Sequence, residues 1–219
     1  MRKTIFALNE YYHCYNRGTD KRKIFLTEKD YLRFVVLLYV CNSTKPIHIS
    51  NFEAKSLIEL FDVERGEPLV AIGAYCLMPN HFHFLLKEIR KGGISLFIQK
   101  LTIAYTMYFN KKSHRTGSLF EGTFKVEHAD EDKYLKYLFS YIHLNPVKLI
   151  DPKWKENGLK NYKKTREFLD NYKYSSYLDY AGVERPQNKI LNKNKFPEYF
   201  ETTKDFETEI FEWLSYGKT

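Results

Sequence analysis

Three features of the sequence predict an α+β fold. Helix-periodic segments fall between extended ones, and two apolar runs, residues 69–77 and 81–87, are separated only by a tight turn. The elements then follow the order strand, helix, strand, strand, helix, strand, helix. That order is close to the split βαβ pattern of a ferredoxin-like antiparallel sheet with helices packed on it.

Each element has a local reason. Residues 11–16 are rich in aromatics and run into Asn16-Arg17-Gly18, the pattern of a strand leaving into a glycine turn. Thr27 can cap a helix whose apolar positions Tyr31, Phe34, Val35, Leu38 and Cys41 recur at helical spacing, ending near Asn42-Ser43. The stretch 45–67 is polar and irregular, with room for a short helix over residues 53–61. After the turn Met78-Pro79-Asn80, the alternation His81, Phe82, His83, Phe84 puts the two histidines on one face of a strand and the two phenylalanines on the other. Gly92-Gly93 breaks the chain, and Ile94, Phe97, Ile98, Leu101, Tyr105, Tyr108 and Phe109 then mark one face of a helix. A basic loop over residues 111–117 leads to an extended segment over 118–128. Asp130 is placed to cap a helix that runs to Asn145, where Pro146 stops it. We expect a main domain over residues 1–150. Residues 151–219 form a mostly helical or irregular extension packed on it, with Trp154, an aromatic cluster at Tyr172, Tyr174, Tyr177 and Tyr180, and a last amphipathic helix carrying Phe206, Ile210, Phe211 and Leu214.

Composition narrows the class. A chain of 219 residues with 43% hydrophobic content can bury a real core, which excludes a disordered or collagen-like protein. A charged fraction of 28% and a mean hydropathy of -0.51 exclude an integral membrane protein, and the longest apolar runs fall short of the ~18 to 20 residues that span a bilayer. The basic N-terminus is followed by too short an apolar segment for a secretory signal. Cys14, Cys41 and Cys76 show no CxxC spacing, so neither a disulfide framework nor a thiolate zinc site is expected, and a reducing cytoplasm fits best. The 35 Lys+Arg against 27 Asp+Glu give a net charge of +8, compatible with a polyanionic partner. The 18 Tyr and 17 Phe, against 2 Trp, can serve as core, as base-stacking platforms or, for tyrosine, as nucleophiles.

One constellation carries chemistry. His81 and His83 project from the same strand face and can converge on a divalent ion if an oxygen ligand arrives from another element. The plainer reading is two strand histidines without a metal. On the helix ending at Pro146, Leu135, Leu138 and Ile142 make the core stripe, while Tyr141 and Asn145 lie four apart on one flank of it. An amide oxygen from Asn145 can complete a His, His, Asn site with the Tyr141 phenol one turn away. Equally, Tyr141 can be a packed aromatic like Tyr134 and Tyr137, and Asn145 a helix C-cap.

Three blocks of this chain resemble the signature blocks of the REP-associated tyrosine transposases, members of the single-tyrosine HUH endonuclease superfamily. They are Met78-Pro79-Asn80-His81-Phe82-His83-Phe84-Leu85-Leu86, the segment from Arg115 to Lys125 containing Gly117-Ser118-Leu119-Phe120-Glu121-Gly122, and Tyr141-Ile142-His143-Leu144-Asn145-Pro146-Val147-Lys148. Tyr15-Asn16-Arg17-Gly18 and Tyr174-Ser175-Ser176-Tyr177 are similar to further blocks, so the resemblance runs over about residues 8–180. It implies that His81, His83 and Asn145 bind Mg²⁺ or Mn²⁺ and that Tyr141 is the nucleophile. More compact insertion-sequence relatives usually carry Gln at the last ligand position, and Asn points to the REP-associated branch. The implied activity is metal-dependent cutting and joining of single-stranded DNA. The metal would polarise a phosphodiester oxygen, and Tyr141, whose phenol must first lose a proton from a pKa of about 10, would form a 5′-phosphotyrosine and free a 3′-OH. The implied partner is single-stranded DNA with a hairpin, of a REP-like element or an insertion-sequence end, and the protein is expected to act in the cytoplasm as a monomer or homodimer, away from membranes.

Basic residues have broader readings. Arg17, Lys21, Arg22 and Lys23, with Lys100, Lys111, Lys112, Arg115 and Lys125, can line a path for backbone phosphates, and Asn16 joins them through its block. Any one of these lysines can equally be solvated surface. Glu127 and His128, just before the Tyr141 helix, can assist proton transfer or be loop residues. His143 lies about 200° round the helix from Tyr141 and is not expected as a ligand. The rival function is a nucleic-acid-binding regulator that keeps the fold without cutting; a replication initiator or relaxase would carry a different order of motifs.

Overall fold

The computed structural model describes residues 5–47, 49–52 and 56–215. Strands β1 (Tyr11–Arg17), β2 (Val70–Met78), β3 (His81–Glu88) and β4 (Lys125–His128) form one antiparallel sheet in the order β2-β3-β1-β4. Helix α1 (Glu28–Val40) joins β1 to β2, and α2 (Gly93–Lys112) joins β3 to β4. Each connection skips one strand, which is the split βαβ arrangement expected for a ferredoxin-like α+β sheet. The remaining helices are α3 (Asp132–Leu144), α4 (Trp154–Asn157), α5 (Tyr162–Asp170), α6 (Tyr177–Tyr180) and α7 (Thr203–Ser215).

The alternation on β3 decides what each face of the sheet does. Phe82, Phe84 and Leu86 pack with Tyr12 and Cys14 of β1 against α1 and α2, forming the larger core. The opposite face carries Ala74, Cys76, Met78 and Leu85, and α3 covers it with Leu135, Leu138, Phe139 and Ile142. The sheet is therefore covered on two sides, and β2, although an edge strand, is buried along its whole length and reads as a continuous apolar run.

Buried carboxylates tie α1 to α2 and α2 to the sheet. Asp30, fully buried in the first turn of α1, accepts the backbone N–H groups of Leu26 and Thr27 and is paired with Lys112 at the end of α2, 2.6 Å away. Glu88, also fully buried, accepts the N–H groups of Gly93 and Ile94, where the positive end of the α2 dipole favours an anion.

Three expectations need correction. Helix α3 starts at Asp132 with Glu131, not Asp130, at the N-cap. Pro146 does not stop the helical path; the chain tightens into a 3-10 turn, Asn145–Leu149, with the proline in its first turn, where a missing N–H and a fixed φ cost nothing. The polar stretch holds single 3-10 turns at Ile49–Phe52 and Glu59–Asp62, and residues 53–55 of the expected helix lie outside the described residues.

The extension runs along the free edge of β2. Leu77 N–H donates to the Tyr174 carbonyl at 2.9 Å, Ser176 N–H to the Tyr75 carbonyl at 2.9 Å, and the Tyr172 hydroxyl to the Leu77 carbonyl at 2.6 Å. Covering an edge in this way removes a template for strand addition. The buried ion pair of Arg185 with Asp179, with a further bond from Arg185 to the Ser175 carbonyl, braces the covering segment. Helix α7 then packs on α3, with Lys136 and Glu209 paired at 3.0 Å. Among the described residues, no helix is long and apolar enough to cross a membrane.

Candidate active site

The α3 side of the sheet brings together four residues singled out from the sequence: His81, His83, Tyr141 and Asn145. His81 and His83 stand at the start of β3 with ring centres 5.0 Å apart. The Tyr141 ring meets His83 edge-on, centres 5.5 Å apart. Asn145, buried at the end of α3, donates from Nδ2 to the Tyr141 carbonyl at 2.9 Å.

Hydrogen bonds orient both imidazoles. His81 Nδ1 lies 2.6 Å from the Asn80 side-chain oxygen, which can only accept, so the proton sits on Nδ1 and the lone pair on Nε2. His83 Nδ1 lies 2.9 Å from Nε2 of His13, on the adjacent strand β1. The other nitrogen of His13 faces the Glu127 carboxylate at 3.7 Å. With the His13 proton on the nitrogen nearest the carboxylate, Nε2 would accept from His83, and the His83 lone pair would lie on Nε2. Burial keeps these rings neutral: it pushes His81 and His13 down to about 4, and His83 well below its ordinary value, with Lys148 adding to the shift at His81 and His83.

This donor set suits a divalent cation. Two neutral imidazoles present lone pairs, and Asn145 Oδ1 is buried with no hydrogen-bond partner among the described residues. A buried amide oxygen left unpaired is costly, and a cation would satisfy it. No group of three or more His, Cys, Asp or Glu side chains among the described residues is arranged to hold a metal ion, so a site here depends on the Asn145 amide.

Burial pushes the Tyr141 phenol above its ordinary value, a hydrogen bond with the Asn145 side chain opposes the rise, and Glu127 adds to it. Lys155, from α4 in the extension, places its ammonium 4.1 Å from the centre of the Tyr141 ring. Burial, with Lys148 nearby, pushes Lys155 down to about 8.

The basic candidates separate. Arg17 and Lys125 belong to the histidine face, by their register opposite His81 and Tyr15, and Arg17 is held by Glu121 in a two-pronged pair. Asn16, one residue earlier, points to the other face, where it is buried and lines a groove with Gln99, Thr102, Phe120 and Phe124. Lys21, Arg22 and Lys23 are exposed in the turn after β1, Arg22 leaning on the Thr19 carbonyl and Asp20. Arg115 braces its own loop, bonding Asn110 and the Ser118 carbonyl.

Glu127 is a strand residue of β4 that accepts the hydroxyls of Tyr15 and Tyr134 at 2.9 and 2.8 Å. His128 faces away, stacked on Tyr12 and 3.0 Å from Glu10. His143 is buried behind α3, 2.7 Å from the Ser176 hydroxyl. Sequence reading missed His13, Lys148 and Lys155. The alternation Tyr11, His13, Tyr15 was the available signal for His13, but it names a face only once the β1–β3 register is known.

Comparison with known proteins decides the family. The sequence model of the family described as "Transposase IS200 like" matches residues 9–145. The chain belongs to the IS200-like transposases. The match runs from just before β1 to Asn145, so it contains His13, His81, His83, Tyr141 and Asn145 of this IS200-like transposase, while Lys148 and Lys155 lie beyond it. No curated protein matches the chain. A solved structure described as a REP-associated tyrosine transposase bound to a REP hairpin is similar at 12% identity with a TM-score of 0.49, over 85% of this chain and 89% of that one.

Proposed function

We propose that this IS200-like transposase cuts and rejoins single-stranded DNA through Tyr141. The observation that carries the reading is the meeting of Tyr141 with His83, edge to face, beside the unpaired Asn145 oxygen. His81 and His83, through Nε2, and Asn145, through Oδ1, would hold Mg²⁺ or Mn²⁺, which when bound supplies charge stabilisation at the scissile phosphate.

The chain's own groups account for the rest. Tyr141 Oη gives up its proton and attacks phosphorus; the bond from phosphorus to the 3′ oxygen breaks, and that oxygen takes a proton to become a free 3′-OH. The 5′ end stays on Tyr141 as a phosphotyrosine. Because the ester is exchanged rather than hydrolysed, a second 3′-OH can reverse the step and join strands without another energy source. Helix α3 holds the phenol against the sheet, with Lys155 over its ring. Arg17, Lys21, Arg22, Lys23, Arg115 and Lys125, with Asn16, are the proposed DNA contacts, Arg17 and Lys125 on the histidine face itself. Residues 1–150 act as the catalytic domain in this reading, and residues 151–219 as an extension that supplies Lys155. Asn145 in place of Gln, together with the sequence blocks, supports the REP-associated branch and a hairpin-bearing substrate.

The test is adduct formation. Hairpin-bearing single strands are incubated with the protein in Mg²⁺, Mn²⁺ or chelator and resolved under denaturing conditions. A covalent adduct with metal, absent with chelator and in Tyr141→Phe, is expected. No adduct from the wild type on any strand, or an adduct from Tyr141→Phe, overturns the assignment.

A further inference from the structure

His13 is buried in the middle of β1 and touches two members of the candidate site, His83 and Tyr141. Its Nε2 is 2.9 Å from His83 Nδ1, the two rings stack with centres 5.1 Å apart, and Tyr141 meets it edge-on at 5.6 Å. Its outer nitrogen faces Glu127 of β4 at 3.7 Å. That carboxylate is itself fixed from two directions, by the hydroxyl of Tyr15 on β1 and that of Tyr134 on α3. A line of polar groups thus runs from a surface carboxylate, through His13, to His83.

We propose that His13 is a positioning residue that holds His83 in its ligand-ready tautomer and orientation. The proposal rests on the reading of His83 as a metal ligand and adds what makes it one. A histidine binds metal through an unprotonated nitrogen, and which nitrogen is unprotonated depends on the bond the other one makes. With His13 Nε2 as the acceptor, the His83 proton stays on Nδ1 and Nε2 keeps its lone pair for a ligand. Without that acceptor the ring is free to protonate Nε2 or to turn over, and either change removes a ligand. Glu127 sets the direction of the line: its negative charge favours the His13 proton on the outer nitrogen, so the inner one accepts.

Two measurements on the full chain test this. Long-range ¹H–¹⁵N correlation on the metal-free wild type with labelled histidine reads the tautomer of His83 directly; a proton on Nδ1 is expected, and a proton on Nε2 overturns the proposal whatever any variant does. Mn²⁺ affinity, read by the spin resonance of the free ion, is then compared across variants. His13→Phe keeps ring stacking and lacks an acceptor, and is expected to bind about 10- to 100-fold more weakly, the usual effect of losing an outer partner of a ligand. His13→Gln offers an amide oxygen in its place and is expected to recover most of the loss, which a purely packing role would not produce. His83→Ala separates the two layers. If it binds Mn²⁺ as the wild type does, the ligand reading fails; if it loses binding while His13→Phe does not, only the positioning role fails.

Discussion

The ammonium of Lys155 rests 4.1 Å from the centre of the Tyr141 ring, and the two residues come from opposite sides of the point where the family match ends. Neighbouring Trp154 is buried and anchors the short helix that presents the lysine. A cation on the face of an aromatic ring is attracted by its negative quadrupole, by about 1 to 2 kcal/mol when partly desolvated. In the proposed reaction the same cation would favour the developing phenolate.

Lys155→Met is therefore expected to slow adduct formation about tenfold at saturating DNA, with DNA affinity changed far less, and Lys155→Arg to keep most of the rate. Single-turnover kinetics separate the two effects. An unchanged rate in Lys155→Met removes the extension from the chemistry.

Asn145 has a bonded Nδ2 and an Oδ1 without a partner among the described residues, and substitutions separate the two. Asn145→Asp keeps an oxygen for a cation but turns the donor facing the Tyr141 carbonyl into an acceptor. It is expected to melt below the wild type without metal and to gain more in melting temperature on adding Mn²⁺. Asn145→Ala is expected to show almost no Mn²⁺-dependent gain. Equal gains in all three proteins would mean that Asn145 is only a helix cap.

Arg17 is held by Glu121, so its charge is partly spent before DNA arrives. Glu121→Gln is expected to release it and tighten single-stranded DNA binding a few-fold at low salt. The plot of log affinity against log salt should steepen by about 0.7, the value for one more phosphate neutralised on a single strand. Titrations at several salt concentrations read this slope, and no change would place Arg17 off the DNA path.

Stability should fall with acid in a window set by buried histidines. Burial pushes His13 down to about 4 and His143 to about 3. An unfolded histidine takes up a proton near pH 6.5. Above that value neither state is protonated and the contribution is flat. Below it, down to the folded values, only the unfolded state gains protons, so each histidine costs about 1.4 kcal/mol per pH unit. From about pH 7.5 to 5.5 the two together remove about 3 kcal/mol, with His81 and His83 acting in the same direction in metal-free protein. Urea unfolding at the two pH values checks the loss, and His143→Gln should shrink it.

Much of this was legible along the chain. The aromatic run of residues 11–16, Thr27 at the head of α1, the apolar run 69–77, the alternation across His81 to Phe84 and the apolar stripe of α2 are local patterns, set by neighbours a few residues apart. They placed β1, α1, β2, β3 and α2 and assigned the histidines a common face. The stop at Pro146 was less legible, because a proline ends an α-helix or opens a 3-10 turn according to how the following residues pack. Asn16 and Arg17 form one block in sequence yet serve opposite faces of β1, since adjacent strand residues always diverge.

The sequence by itself determined the element order and the family, and it singled out His81, His83, Tyr141 and Asn145 as candidates. Only the tertiary structure decided that His13 bonds His83, that Glu127 stands behind it and that Lys155 covers Tyr141. The physical reason lies in separation along the chain. Periodicity records which side of its own element a residue takes, whereas the register of β1 on β3 and the docking of α4 arise from packing between distant segments, and no local pattern encodes either.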